Sequence, residues 1–320
     1  MKFRTEIHIK KSEHRLSYRK PLLMMGSCFT ENMGSYLSNY LFKCTVNPFG
    51  VTYNPFSLKK GIEALLYKEE YLPEDLQFRR ELYFSFDHYT KFSDPVAESA
   101  LEKINTSFQR AKDSLHQAGT LILTFGTAYT YKYLKSGEVV NNCHKIPASE
   151  FERRMLGIDE MVEPYLLLID TLHTLNPDLH ILFTLSPVRH LKDGLIENQK
   201  SKASLLMAIH RIVEARPVKC SYFPAYEIMM DDLRDYRYYK EDLLHPNEQA
   251  VDYIWQHFSE NYIDAESLSI MKELDPVLKA FTHRPLHTST KEYHTFRTSI
   301  DEKVRKLKEN YSFLNWSVLE

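Results

Sequence analysis

The fold turns on Pro21-Leu22-Leu23-Met24-Met25-Gly26-Ser27-Cys28-Phe29-Thr30. An uncharged, apolar run stops at a glycine, and a helical pattern opened by Thr30 and Glu31 continues to residue 41. That sequence of signals predicts a buried strand, a tight turn and a crossover helix. Four further runs repeat the theme: 42–46, ending at Asn47-Pro48-Phe49-Gly50; 120–125, closed by Gly126; 179–185, stopped by Ser186-Pro187; and a weaker run over 218–223. Helical spacing covers 149–175, 200–215 and 247–258. The alternation predicts βαβ units and a parallel sheet. Five strands in this order suit an α/β, three-layer, doubly wound sheet of flavodoxin-like order 2-1-3-4-5. Ligands of such sheets bind beyond the carboxyl ends of the strands, near the switch between strands one and three.

Composition is compatible with that core. The chain has 320 residues, 43% of them hydrophobic and 26% charged, and 41 basic against 43 acidic residues leave a formal charge of −2. Neither a basic excess nor a basic block is present, which argues against a dedicated nucleic-acid or anionic-membrane surface. The first eight residues lack the apolar stretch of a signal peptide, and no run approaches the 18 or so apolar residues of a membrane span. Cys28, Cys44, Cys143 and Cys220 show no C-x-x-C spacing. They suit neither a disulfide framework nor a zinc site, and a reducing, cytoplasmic setting is expected.

Two stretches interrupt the alternation. Residues 81–86 and 129–140, the latter with Ser136-Gly137 as its turn, read as short strands or hairpins inserted at the sheet edge. From residue 262 the pattern is helical and charged. The expected organisation is therefore an α/β domain over 1–261 and a helical extension over 262–320 packed on it.

Chemistry is sought at the strand ends. In Gly26-Ser27-Cys28, the glycine allows tight geometry and the thiol precedes a helix N-terminus. Free amides and the helix dipole there favour thiolate, lowering a cysteine pKa from about 8.5 to roughly 3.5–7.5. The other reading is a buried thiol beside a helix-capping Ser27. Far along the chain, Asp242-Leu243-Leu244-His245-Pro246-Asn247 places a carboxylate three residues before an imidazole, which fixes the tautomer and stabilises the imidazolium. Alone, that loop also reads as a surface turn. Backbone N–H groups at Cys28 and Gly50 are candidate donors to an oxyanion. Cys143-His144, as neighbours, face opposite sides and are taken as structural or pocket-lining. Arg189 could hold a carboxylate or phosphate by its planar fork, or pair with an acidic residue. Asp231-Asp232 and Asp235 read as a solvated face, and Tyr236, Tyr238 and Tyr239 as pocket wall or packing.

Met25-Gly26-Ser27-Cys28-Phe29-Thr30 resembles the signature of the GSCFA family, usually placed among the SGNH (GDSL-like) hydrolases. The likeness continues through Asn47–Pro55, Asn142–Lys145, Leu185–His190, Arg234–Tyr239 and the 242–245 loop. It implies an SGNH-hydrolase-like fold and an ester-directed activity. In the wider family's first block, Gly-Asp-Ser, Gly26 matches the glycine, Ser27 falls on the aspartate and Cys28 on the nucleophile. Gly50 resembles the oxyanion glycine, and Asp242 and His245 match the last block. Gly126-Thr127-Ala128-Tyr129 resembles the Gly-x-Asn-Asp block, with Ala128 where an oxyanion asparagine would stand.

The resemblance thus implies a hydrolase or acyltransferase acting on ester-type bonds of a small molecule or glycan. Cys28 is the expected nucleophile, with Ser27 a weaker alternative, His245 the base and Asp242 the orienting carboxylate. Ser27, Gly126, Thr127, Tyr129, Asn142 and Arg189 are possible substrate-binding residues, and no metal or cofactor is expected. Losing the asparagine would weaken the oxyanion hole by about 2.7–4 kcal/mol unless Thr127, Asn142 or Tyr129 replaces it. That departure motivates the rival reading, a catalytically silent module binding a glycan or peptide. A metal-dependent phosphoesterase is a weaker third, because no paired ligand spacing occurs on one helix.

Overall fold

The computed structural model describes residues 4–192, 194–282, 287 and 289–319. Five parallel strands form its centre: β1 (Leu22–Gly26), β2 (Cys44–Val46), β3 (Thr120–Phe125), β4 (His180–Leu185) and β5 (Cys220–Phe223). They lie in the order β5-β4-β3-β1-β2, which is the expected 2-1-3-4-5. β1 is flanked by β2 and β3 with Leu22 opposite Cys44 and Thr120, so the switch point falls at the end of β1.

The inner strands read as unbroken apolar runs because both faces are covered. Leu23, Met25, Leu121, Leu123, Ile181 and Phe183 point to one layer, built by α2 (Pro55–Tyr67), α3 (Ala97–Gln117), α4 (Ile158–Leu175) and α5 (Gly194–Ala215). Leu22, Met24, Ile122 and Leu182 point to the other, built by α1 (Cys28–Asn39), α6 (Glu248–Tyr262), α7 (Ala265–Thr282) and α8 (Lys291–Asn310). The C-terminal helices join this second core: Ile270, Leu274, Val277 and Leu307 bury with Leu37, Leu41 and Phe42. Among the described residues no helix is long and apolar enough to cross a membrane.

Several boundaries move. The helix expected over 149–175 begins only at Ile158, because Phe151–Met155 pairs as an antiparallel strand with Tyr129–Tyr133 and Gly157 then opens the helix. The insertions form a hairpin (Gln77–Arg79 with Leu82–Phe84) and a three-stranded sheet that also holds Val139–Val140. α2 and α3 have no counterpart in the sequence reading. Asp232 is not on a solvated face: its side chain is buried, its Oδ1 accepts the Ile7 N–H (2.9 Å) and its Oδ2 the Tyr253 hydroxyl (3.0 Å). Asp231 pairs with Arg234 at the surface, and Asp235 caps the turn at 236–238.

Candidate active site

At the end of β1, Gly26 adopts φ +154°, and a Cβ there would lie 2.5 Å from the Thr124 carbonyl and 2.6 Å from Thr30 Oγ1. Only glycine lets β3 and α1 close in this tightly. The Ser27 side chain caps α1 by accepting the Phe29 N–H (3.2 Å), and Ser27 is fully buried. That burial removes Ser27 as a nucleophile or substrate contact. The helix starts two residues earlier than its pattern predicts, which puts Cys28 at the first helical position.

Burial is the largest influence on the Cys28 thiol and raises its pKa, with Glu31 adding to the rise; its own amide, the Phe29 amide and Lys202 pull the other way. The expected thiolate-favouring shift is therefore overturned in the resting protein, because desolvation outweighs the helix terminus. The other three thiols lack such amides. Burial pushes Cys44, Cys143 and Cys220 to about 12, 11 and 12.

Lys202 is the functional candidate that the sequence reading missed. It is 1% exposed, and its ammonium donates to the carbonyls of Gly126 and Ser186, each at 2.7 Å. Burial pushes it down to about 7, and Cys28 is the group that opposes the fall. Its neighbours on the same helix do related work. The Asn198 side chain accepts the His190 N–H (2.9 Å), and Ser201 Oγ accepts the Ala128 N–H (2.8 Å). One turn of α5 thus fastens the segments that follow both β3 and β4. The signal was present: Asn198, Ser201 and Lys202 continue the buried stripe of Leu205, Ala208, Ile209 and Ile212, where polar residues at core positions need a reason.

The second half of the site comes from the loop before α6. His245 Nδ1 lies 2.7 Å from Asp242 Oδ2, while Asp242 Oδ1 accepts the amides of Leu244 (2.8 Å) and His245 (3.0 Å). Those bonds hold the Asp242 carboxyl down to about 2. With Nδ1 on the carboxylate, Nε2 is the basic nitrogen. The loop is tied to the end of β4, since the Arg189 amide donates to the Leu244 carbonyl (3.2 Å).

His190, which follows β4, links the halves. Burial, then Lys202 and His245, push it down to about 3, and among the described residues its buried Nε2 has no hydrogen-bond partner. It packs edge-on against Tyr53 (5.3 Å) over Gly126, and Tyr53 in turn feels Cys28. Cys28 and His245 share no hydrogen bond among the described residues. Their connection runs through Lys202 and His190.

Other expected contacts are placed elsewhere. The Gly50 amide, cast as an oxyanion donor, donates instead to the Asn47 carbonyl (2.7 Å) within a turn; a side chain there would meet Tyr89 Cβ at 2.3 Å, with φ at +78°. The Gly126 and Thr127 amides both go to the Tyr53 carbonyl, and the Thr127 hydroxyl to Ser201 and the Tyr129 amide. The Tyr129 phenol bonds Glu197, and Asn142 bonds Thr90 and the His144 amide. Ala128 is buried in the core. His144 is structural, with Nε2 on the carbonyls of Ser85 and His88. Of the proposed oxyanion donors, only the Cys28 amide remains beside the sulfur.

The sequence profile of the GSCFA family matches residues 21–258, three quarters of the chain and every residue of this site. The chain belongs to the GSCFA family. A second profile, the C-terminal domain of GSCFA domain proteins, matches 274–318, within α7, α8 and the tail that follows. No curated protein and no solved structure matches. Among the described residues no group of three or more His, Cys, Asp or Glu is arranged to hold a metal.

Proposed function

We propose that this GSCFA chain is an SGNH-like hydrolase or acyltransferase acting on ester-type bonds, with Cys28 as nucleophile, His245 as base and Asp242 as orienting carboxylate. The observation that carries the reading is the Asp242–His245 pair, held on a loop tied to the end of β4, at the same sheet edge as the end of β1 that bears Cys28, with β3 between the two. A thiol whose pKa is raised needs a base. In the proposed reaction the thiol proton passes to His245 Nε2 as sulfur bonds to the acyl carbon. The imidazolium then protonates the departing alcohol, and water or a second acceptor cleaves the thioester. Hydrogen bonds of this type often tighten only with substrate bound. The Cys28 amide would face the oxyanion. Lys202, by fixing the Gly126 and Ser186 carbonyls and supplying positive charge near sulfur, would lower the cost of both thiolate and oxyanion. Four free cysteines suit a reducing cytoplasm.

Short-chain acyl esters and thioesters test the reading: turnover should fall at least about 10³-fold in both C28A and H245A. Turnover that survives either change overturns it. The specific observation favouring the silent binding module is the commitment of the Gly50, Gly126 and Thr127 amides elsewhere. That reading expects glycan or peptide binding, unaltered by C28A, with no turnover.

A further inference from the structure

Beside the His245 loop lies a cavity of about 180 Å³ that acyl chemistry leaves unassigned. Met229 and Leu233 give it an apolar floor, and its polar lining comes from Arg189, Arg234, Asp235 and Tyr239. Two of these charges are already spent: Arg234 pairs with Asp231 (2.5 Å), and Asp235 with Arg237 (3.3 Å). Arg189 is not. Its guanidinium is half-buried over the rings of Tyr239 (4.3 Å) and Tyr236 (5.3 Å), and among the described residues no carboxylate lies within ion-pair distance of it. Tyr239 is 8% exposed; burial raises its pKa most, and the Arg189 guanidinium, by its charge and by hydrogen bonding toward the phenol oxygen, opposes that rise. A stacked guanidinium without a carboxylate partner, beside a buried phenol whose O–H donates to no group among the described residues, complements an oxyanion.

The cavity also adjoins the reacting groups. Arg189 precedes His190 in the chain and ties the Leu244 carbonyl, and Tyr239 is bridged to Pro246, the residue after His245. We propose that this cavity is an anion subsite of the same centre, seating a compact carboxylate or phosphate carried by the substrate. Its place in a reaction rests on the acyl-chemistry reading; its binding of anions does not.

The test titrates inorganic phosphate and succinate by calorimetry, at constant ionic strength, into wild type, C28A, R189Q and Y239F. Both anions should bind wild type and C28A alike, weaken about tenfold or more in R189Q, and weaken less in Y239F. A preference for one anion over the other identifies which group the substrate carries. In parallel, a succinyl thioester should be turned over in preference to a butyryl thioester of equal length, and R189Q should erase that preference. Arg189-dependent anion binding without turnover of any thioester leaves the subsite standing and removes the acyl reading. Turnover without anionic preference, with phosphate bound equally by R189Q and wild type, overturns the subsite. If R189Q does not fold, unchanged phosphate affinity in Y239F, which loses a single hydroxyl, overturns it.

Discussion

The sheet carries titratable clusters at both ends, and they are built differently. At the amino ends of the strands, His14 stacks on His180 at 4.0 Å, and His180 Nε2 lies 2.7 Å from Ser221 Oγ. Nearby, His173 places Nδ1 and Nε2 2.7 Å from the carbonyls of Ile169 and Leu179. These rings are joined to the scaffold that they support. At the carboxyl ends, His190 Nε2 has no hydrogen-bond partner among the described residues, and the His245 side chain is 42% exposed beside its carboxylate. Lys202 there is buried, donating to two carbonyls with the Cys28 thiol and the face of Tyr226 nearby. The same residue types thus serve packing at one edge and stand incompletely satisfied at the other. Buried polar groups without partners are rare enough that such an edge is where chemistry is expected.

Asp242→Asn should break the contrast most sharply. It keeps the shape of the loop but removes the acceptor that selects the Nδ1–H tautomer, and should cut turnover by about 10²–10⁴-fold, measured as kcat/KM on the best thioester. Because Asp242 is held down to about 2, it stays ionised at pH values well above that, and the acid limb of the pH–rate profile belongs to another group. A limb that moves with Asp242 would contradict this assignment.

A smaller effect is expected for Lys202→Met. In wild type, iodoacetamide should label Cys28 ahead of the other three thiols, with a rate that climbs about tenfold per pH unit from pH 7, since burial raises this pKa. Removing the buried cation should raise it further and slow labelling at pH 7 by about three- to tenfold. Equal rates in the two proteins would remove Lys202 from the site. His180→Gln, at the opposite edge, should leave labelling untouched.

The mildest change concerns acid stability. His180 is held down to about 3 in the folded chain against about 6.5 unfolded, so the unfolded state binds the extra proton between those values. Stability from this group is present above pH 6.5 and is lost as pH falls toward 3, by up to about 1.4 kcal/mol per pH unit. Urea midpoints between pH 7 and 4 should fall less steeply in His180→Gln than in wild type; parallel slopes would count against the assignment.

The sheet was legible because each inner strand is an apolar run that ends at a glycine or Ser-Pro, and burial on both faces leaves no other pattern for it. The Asp242–His245 pair was equally legible, because its geometry is set within four residues. What stayed hidden depends on long-range packing. Lys202 reads as one charge among many until α5 turns it inward. The Gly50 amide is taken by a carbonyl three residues back, a choice of turn that the motif does not specify. Phe151–Met155, with Arg153 and Arg154 inside it, becomes a strand through pairing with Tyr129–Tyr133, not through its own composition.

The bond between the Ile7 amide and Asp232 has a bearing on biogenesis. As the chain leaves the ribosome, residue 7 emerges 225 positions before its acceptor, and Tyr253, the other donor to that carboxylate, follows later still. The leading arm must therefore stay undocked through most of translation. Its docking fastens Asp232, the residue before Leu233 in the floor of the Arg189 cavity, so chains that end between β5 and residue 232 would lack that anchor, however completely the sheet had formed.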